Sequence, residues 1–358
     1  MIIDIVKVLF PLVTSFIIGI GITPIVSDFL YRNKLWKKRN VRAAVDGSPA
    51  TISQKLHDDE GKKTPRMGGV VMWVSVAATA LIIWIISHVI DGDLAIKLDF
   101  ISRNQTWIPL ATLVFGSLFG LIDDYLETKE TGGDHIAGGL SLAKRLFAVS
   151  AIALAVALWF YIKLEVNSIG LPVAEDLMIG WLFIPLFVVV AIGIYSGGVI
   201  DGLDGLSGGI FAAIFASYAG IAFYQNQIDL AAFCAAVVGG ILAFLWFNIP
   251  PARFYLSETG IMGLTITLTV VAFMTDTLGG GYGFIVLPII ALPLIIESGS
   301  SLIQVLSKKY LGRKVFLVAP IHHHFQAKGW PAAKVVMRFW IIGVVCALLG
   351  LILALVGQ

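Results

Sequence analysis

The sequence predicts an all-α protein that crosses a membrane many times. Three observations carry this reading: 58% of the 358 residues are hydrophobic, only 13% are charged, and the mean hydropathy is +0.90. One aqueous core cannot hide that much apolar surface, so an ordinary soluble globule is excluded. A disordered chain is excluded as well, because such chains are poor in apolar residues and rich in charge. The only two cysteines, Cys234 and Cys346, are too few for a disulfide scaffold and lie in apolar runs, where they read as inert packing thiols.

A hydrocarbon layer about 30 Å thick asks for about 20 apolar residues per helix. Runs of that length fall at 5–30, 67–90, 107–123, 142–163, 178–198, 203–224, 230–248, 258–278, 283–306 and 335–356. Together they make one ten-helix transmembrane domain over 1–358. Asp4 precedes the first run, no small-residue cleavage site follows it, and it is long, so it reads as a retained helix rather than a signal peptide. The second run follows a turn rich in proline and glycine, the third closes on Asp123 and Asp124, and the fourth opens beside Lys144 and Arg145. The fifth and sixth nearly touch, and a short turn around 225–229 joins the sixth to the seventh. Glu258 opens the eighth; Pro288 and Pro293 remove backbone hydrogen bonds from the ninth and predict a kink there.

Of the 25 lysines and arginines, all but Lys7, Lys97, Arg103 and Lys163 fall in the loops and helix ends that follow odd-numbered spans. By the positive-inside rule that side is cytoplasmic and both termini face out.

An acidic side chain inside or at the end of a membrane helix costs about 2.5–3.5 kcal/mol on insertion scales, so each is a functional candidate. Asp123 and Asp124 stand in GLIDDYLE, Asp201 and Asp204 in IDGLDGLSGG, Glu258 in YLSETG, and Glu297 within the ninth span. The first five share the cytoplasmic side in a topology read from the basic residues alone. Adjacent carboxylates such as Asp123 and Asp124 repel, and a magnesium ion that bridges carboxylates to phosphates relieves the repulsion. A solvated helix end is the plainer alternative.

Asp201 and Asp204 are three apart, which puts both on one face if the segment is helical, and their glycines admit a ligand close to the backbone. A glycine-rich packing motif is the alternative there. His322, His323 and His324 lie in the loop before the tenth span, without a second cluster at zinc-ligand spacing, and suit binding or protonating a phosphate. For the lysines and Arg66 of GKKTPRMGG, anchoring to anionic lipid is the plainer alternative, while the proline and paired glycines argue for a shaped turn as well as a charged one. Glu297 reads as a partner for a cytoplasmic cation or a brace for the kinked helix.

In their order and spacing, TPRMGG, GLIDDY, DGLDGL, LWFN and APIHHHF resemble the polyprenyl-phosphate N-acetylhexosamine-1-phosphate transferases over nearly the whole chain. The histidine triplet after Ala-Pro and the TP-x-MGG segment point to the muramoyl-pentapeptide branch. The resemblance implies ten helices, outward termini, a cytoplasmic active site in the bacterial inner membrane, and a requirement for Mg2+. It implies attack by undecaprenyl phosphate on the sugar-linked phosphate of UDP-N-acetylmuramoyl-pentapeptide, releasing UMP and forming lipid I. Little covalent chemistry is then asked of the protein, and positioning and charge neutralisation dominate.

Carried over residue by residue, the family motifs imply that Asp123 is the base for the lipid phosphate and that Asp124 and Glu258 hold metal. His324 joins them as a catalytic residue. Substrate binding falls to Lys63, Thr64, Arg145 (or its neighbour Lys144), Asp201, Asp204 at the uracil, Asn248, Tyr255 stacked on the base, His322 and His323.

The chain departs from the family pattern inside the site. Glu258 stands in place of an aspartate, Tyr195–Ile200 replaces an asparagine-rich approach, and Gln326 stands where an acid follows the histidines. These departures keep a related N-acetylglucosamine-1-phosphate transferase as the alternative enzyme. From other classes, a transporter is disfavoured because the carboxylates sit at helix ends and no internal repeat is visible; a catalytically silent binding protein is the remaining alternative. Membrane lipids are partners and a homodimer is compatible with the apolar surface. Nucleic acid is not expected, because membrane orientation and anionic substrates account for the basic residues.

Overall fold

The computed structural model describes residues 2–36, 63–90, 92–101, 106–129 and 139–356. Within these lie thirteen α-helices: α1 Ile2–Arg32, α2 Gly69–Val89, α3 Asp93–Leu98, α4 Trp107–Thr128, α5 Leu142–Lys163, α6 Phe183–Ser196, α7 Leu206–Tyr224, α8 Ile228–Asn248, α9 Ser257–Met274, α10 Gly283–Ile290, α11 Leu292–Leu311, α12 Ile321–Ala327 and α13 Ala332–Val356. A minimal antiparallel ladder pairs β1, Ser168–Ile169, with β2, Leu177–Met178, with Ser168 opposite Met178. The basic residues Lys37, Lys38, Arg39, Arg42, Lys55, Lys62 and Arg103 lie outside the described residues.

Among the described residues nine segments are long and apolar enough to cross a membrane: α1, α2, α4, α5, α6 with its flanking turns (Gly180–Ile200), α7, α8, α9 and α13. The pair α10 and α11, bent by 64°, counts as a tenth when its two halves are taken as one broken span. Its break falls at Ala291, between Pro288 inside α10 and Pro293 in the first turn of α11, so the kink the prolines predict is present. Several boundaries move; the third span runs on past Asp123 to Thr128 and the ninth past 306 to Leu311. The fifth span runs on to Ile200, the sixth opens at Leu206 rather than 203, and the eighth stops at Met274 rather than 278. The sixth is late because Gly205 takes a left-handed φ of +80°, which no continuing helix accommodates.

The central helix is α9: 94% of its apolar window is buried, against 83% for α8 and 17% for α1. Of its buried threonines, Thr265 and Thr269 satisfy their hydroxyls on their own helix, on the Ile261 and Thr265 carbonyls, whereas Thr267 meets Thr112 of α4 and Thr259 reaches Asp124. A ring cluster of Phe160, Phe183, Phe187 and Phe273, with centroids 4.9–6.1 Å apart, ties α5 and α6 to it. Helix α4 lies against α9 through Gly116 and Gly120. A Cβ at Gly116 would stand 2.9 Å from Gly263 Cα, and one at Gly120 only 2.0 Å from the Glu258 carbonyl oxygen. This small-xxx-small contact sets the approach of the helix ends that carry Asp123, Asp124 and Glu258. Cys234 and Cys346 are buried, as their apolar runs predict.

At the opposite end of α9, Asp276 is buried and accepts a hydrogen bond from Gly170 N at 2.9 Å, beside a cavity of about 490 Å³ lined by Gly170, Asp176, Gly281 and Tyr282. Asp276 belongs to no motif in the sequence. Burial, helped by the nearby Asp176, pushes the Asp276 carboxyl from 3.8 up to about 8 despite hydrogen bonds that oppose the rise. The folded chain therefore holds a proton that the unfolded chain releases, and this contribution, complete below pH 3.8, fades as pH rises to about 8. Asp276→Asn should remove that slope and raise the melting temperature at pH 8 by about 2–4 °C. Parallel melting curves of the two proteins from pH 5 to 8 would refute the assignment.

Candidate active site

Two arginines thread the carboxylates at the Ser257 end of α9. Arg145, from the first turn of α5, reaches Glu258 Oε1 at 2.8 Å and Asp123 Oδ2 at 2.9 Å. Glu258 also receives the Tyr195 hydroxyl at 3.0 Å on Oε2, and Asp123 receives Leu140 N on Oδ1. Asp124 Oδ2 accepts both Thr259 N, at 2.8 Å, and the Thr259 hydroxyl, at 2.6 Å. Its Oδ1 accepts Arg66 Nε at 3.3 Å, and Arg66 Nη2 goes on to Glu127 at 3.1 Å. Asp123 and Asp124 are both fully buried.

Arg66 is therefore not a surface lipid anchor. The turn at Thr64–Gly68 is held to Tyr255 by backbone bonds, Tyr255 N to Pro65 O at 2.9 Å and Gly68 N to Tyr255 O at 2.8 Å, and this swings the guanidinium inward. Burial works against its charge, but Asp124 and Glu127 outweigh burial and hold its pKa above that of an ordinary arginine. Between the adjacent basic residues the structure selects Arg145, since Lys144 is exposed.

The Asp201–Asp204 segment is a turn, not the helical face its spacing allowed. A short 3-10 helix, Gly197–Ile200, leads into it and α7 begins only after Gly205. Asp201 accepts the Ser207 hydroxyl at 2.6 Å and Ser257 N at 2.8 Å, tying the starts of α7 and α9 together. Burial raises its carboxyl pKa, and the bonds from Ser207 and Ser257 oppose that rise. Asp204 accepts Ala252 N at 2.9 Å. Asn248 closes the turn, accepting Gly205 N at 2.9 Å and donating to the Phe254 carbonyl at 2.8 Å. In this structure Asn248 shapes the backbone, and the half-buried ring of Tyr255 follows directly from it.

The histidine triplet lies on the short helix α12 rather than in a loop, and its members part company. His322 is buried with Nδ1 2.8 Å from Glu297 Oε2, so Glu297 has a histidine partner in place of the expected cytoplasmic cation. His323 Nδ1 meets Gln326 at 2.7 Å. His324 turns the other way, accepts Leu317 N at 3.1 Å and packs edge-on against Phe316; partial burial, then Lys328, lower its pKa. Thr64 is buried, and Lys63 lies over the Trp36 ring, 6.0 Å from its centroid.

Asp123, Asp124, Glu258 and Arg145 thus come together, with Asp201 and Asp204 in the adjoining turn. Arg66, Glu127 and Tyr195 join the cluster, although none of them is among the residues that the motifs mark as catalytic or binding. A doublet of acids was legible; the arginine that pairs with Asp124 stands 58 residues away.

The site offers hard oxygen donors of the kind magnesium takes. Asp123, Asp124, Glu127 and Glu258 are four carboxylates set against the guanidiniums of Arg66 and Arg145, all with hard oxygen donors. Among the described residues no three Asp, Glu, His or Cys side chains converge at ligand distance. The protein would accordingly supply one or two carboxylates, with substrate phosphate and water completing the shell, the usual division for this ion.

Paired acids and guanidiniums at one end of a bundle of membrane-length helices, next to the Asp201–Gly205 turn, suit an enzyme that works on charged groups at a membrane. The profile described as Glycosyl transferase family 4 matches residues 106–276, which hold Asp123, Asp124, Arg145, Asp201, Asp204 and Glu258. Over 346 residues the chain is 30% identical to the phospho-N-acetylmuramoyl-pentapeptide-transferase of Bacillus licheniformis, covering 96% of this chain and 97% of that protein. The chain belongs to this family of membrane sugar-phosphate transferases.

Proposed function

We propose that the protein transfers phospho-N-acetylmuramoyl-pentapeptide from its UDP carrier to undecaprenyl phosphate, forming lipid I and UMP at the cytoplasmic face of the bacterial inner membrane, as a step of peptidoglycan synthesis. The observation that carries this is Arg145 bridging Asp123 and Glu258 beside the Asp124–Arg66 pair, in a chain related along its whole length to such a transferase.

Asp123 takes the proton of the lipid phosphate. An oxygen of that phosphate then bonds to the sugar-linked phosphorus, and the bond from this phosphorus to the bridging oxygen of UDP breaks, its electron pair leaving with UMP. Arg145, fixed at two points, is placed to donate to the phosphate oxygens that gain charge. Asp201, Asp204, Asn248 and Tyr255 shape the turn that receives the nucleotide, and His322, His323, His324, Lys63 and Thr64 bind phosphate and sugar. Asp124 and Glu258 would hold Mg2+, which when bound neutralises phosphate charge. Two copies of the chain packed through their lipid-facing surfaces are part of the same proposal.

Purified protein given undecaprenyl phosphate, UDP-N-acetylmuramoyl-pentapeptide and Mg2+ should release UMP. Absence of UMP across several detergents and lipids rejects the proposal. Turnover of UDP-N-acetylglucosamine in its place moves the assignment to the related transferase, which Tyr195 on Glu258, in the segment that departs from the family pattern, keeps in play.

A further inference from the structure

Helix α11 carries a row of polar side chains, Glu297, Ser300, Gln304 and Ser307, spaced so that all four lie along one face. All are buried. Each meets the returning segment 313–322 in register. Ser307 donates to the Arg313 carbonyl at 2.8 Å. Gln304 accepts Val315 N at 3.1 Å and Phe316 N at 2.9 Å and donates to the Phe316 carbonyl at 3.0 Å. Ser300 accepts Ile321 N at 3.1 Å, and Glu297 ends the row on His322 Nδ1 at 2.8 Å.

The far side of the His322 ring faces the Asp201–Gly205 turn. A Cβ at Gly202 would stand 2.3 Å from His322 Nε2 and 3.2 Å from His323 Nε2, so the imidazoles lie directly against the backbone next to Asp201. Closing the loop does not require a carboxylate in the last position. Serine and glutamine perform that task in the rest of the row, and a fully buried acid is costly unless its charge is used.

We propose that Glu297 is the positioning residue for His322. By binding Nδ1 it presents Nε2 to the Gly202 turn, and it supplies the counter-charge when the ring becomes an imidazolium against a substrate phosphate. This rests on the transferase reading above. It makes Glu297 part of the catalytic apparatus although it touches no substrate.

The test is steady-state UMP release by Glu297→Leu, Glu297→Gln, Gln304→Ala, His322→Gln and the double variant Glu297→Leu/His322→Gln, each with its melting temperature. Glu297→Leu should lower kcat roughly 10–100-fold, as lost orienting partners do, with KM for the nucleotide sugar within about twofold. Glu297→Gln, which still accepts Nδ1–H, should recover part of that loss. Gln304→Ala should lower the melting temperature and leave kcat alone. In the His322→Gln background, Glu297→Leu should add less than about twofold. Equal kcat losses in Glu297→Leu and Gln304→Ala, or losses at Glu297 and His322 that simply multiply, overturn the proposal. Should Glu297→Leu not survive purification, Glu297→Gln with full kcat overturns it equally. A wild-type protein that releases no UMP removes the transferase reading and this inference with it; an active wild type with those results removes this inference alone.

Discussion

Replacing Arg145 with methionine is expected to reduce UMP release at least about a hundredfold and to lower stability by about 3 kcal/mol. The structural part follows from the two contacts. With the guanidinium gone, Asp123, fully buried, and Glu258, 17% exposed, lose the cation they share. Removing one partner of a buried pair costs about 3–5 kcal/mol because the remaining charge is left uncompensated. Arg145 is 20% exposed, so solvent screening favours the low end of that range. The catalytic part follows from geometry: a fork held at 2.8 and 2.9 Å is pre-aimed at oxygens that gain charge, and losing one such donor costs about 10²–10³ in rate. Arg145→Lys should fall between, since an ammonium keeps the charge but cannot bridge both acids. Adding Glu258→Gln to Arg145→Met should return much of the melting temperature without returning the rate. Retention of more than about a tenth of wild-type turnover by Arg145→Met would show that the arginine is only a structural tie.

The topology was legible because it depends on local quantities. Apolar run length and the side on which lysines fall are both read within 20 or 30 residues of sequence, and Pro288 and Pro293 announce the break at Ala291 by the same local logic. Asp123, Asp124 and Glu258 stood out because acids are costly in apolar runs. What decides the chemistry is which cation each acid meets, and those pairings join Arg66 to Asp124 and Arg145 to Glu258, 58 and 113 residues apart. No periodicity encodes such a contact. Arg66 is an example: among lysines at a membrane face an arginine fits a lipid anchor as well as a shaped turn, and only the backbone bonds to Tyr255 decide for the turn and point it inward. For Asp201 and Asp204 a shared face holds only on condition of a helix. A spacing of three is helical only if the backbone is, and Gly205 at φ +80° decides that it is not. Asp276 stands inside the run 258–278 and is costly by the same rule, but it lies at that run's outer end, away from the five acids that share the cytoplasmic side, and no motif contains it.

Gly120 joins the packing to the chemistry, and its replacement is expected to damage both. The Cβ of Gly120→Ala would begin 2.0 Å from the Glu258 carbonyl oxygen and 2.4 Å from its carbon, both backbone atoms of the central helix, so no rotamer relieves the clash. Helices α4 and α9 must then separate, and overpacking of this kind costs about 1–3 kcal/mol. The same separation acts on the site. Asp124 lies one turn beyond Gly120 and holds Thr259 at 2.6 and 2.8 Å, and Glu258 adjoins Thr259, so a shift of α4 pulls Asp123 and Asp124 away from Glu258 together. A misplacement of about 1 Å costs about a hundredfold in rate. Gly120→Ala should therefore lower kcat by one to two orders of magnitude in protein that is still folded at low temperature. Gly21→Ala, where a Cβ meets nothing within 4 Å, is the matched control and should behave as wild type. If Gly120→Ala loses stability but keeps its kcat, the carboxylate cluster tolerates movement of α4, and the close approach of the two helices serves packing alone.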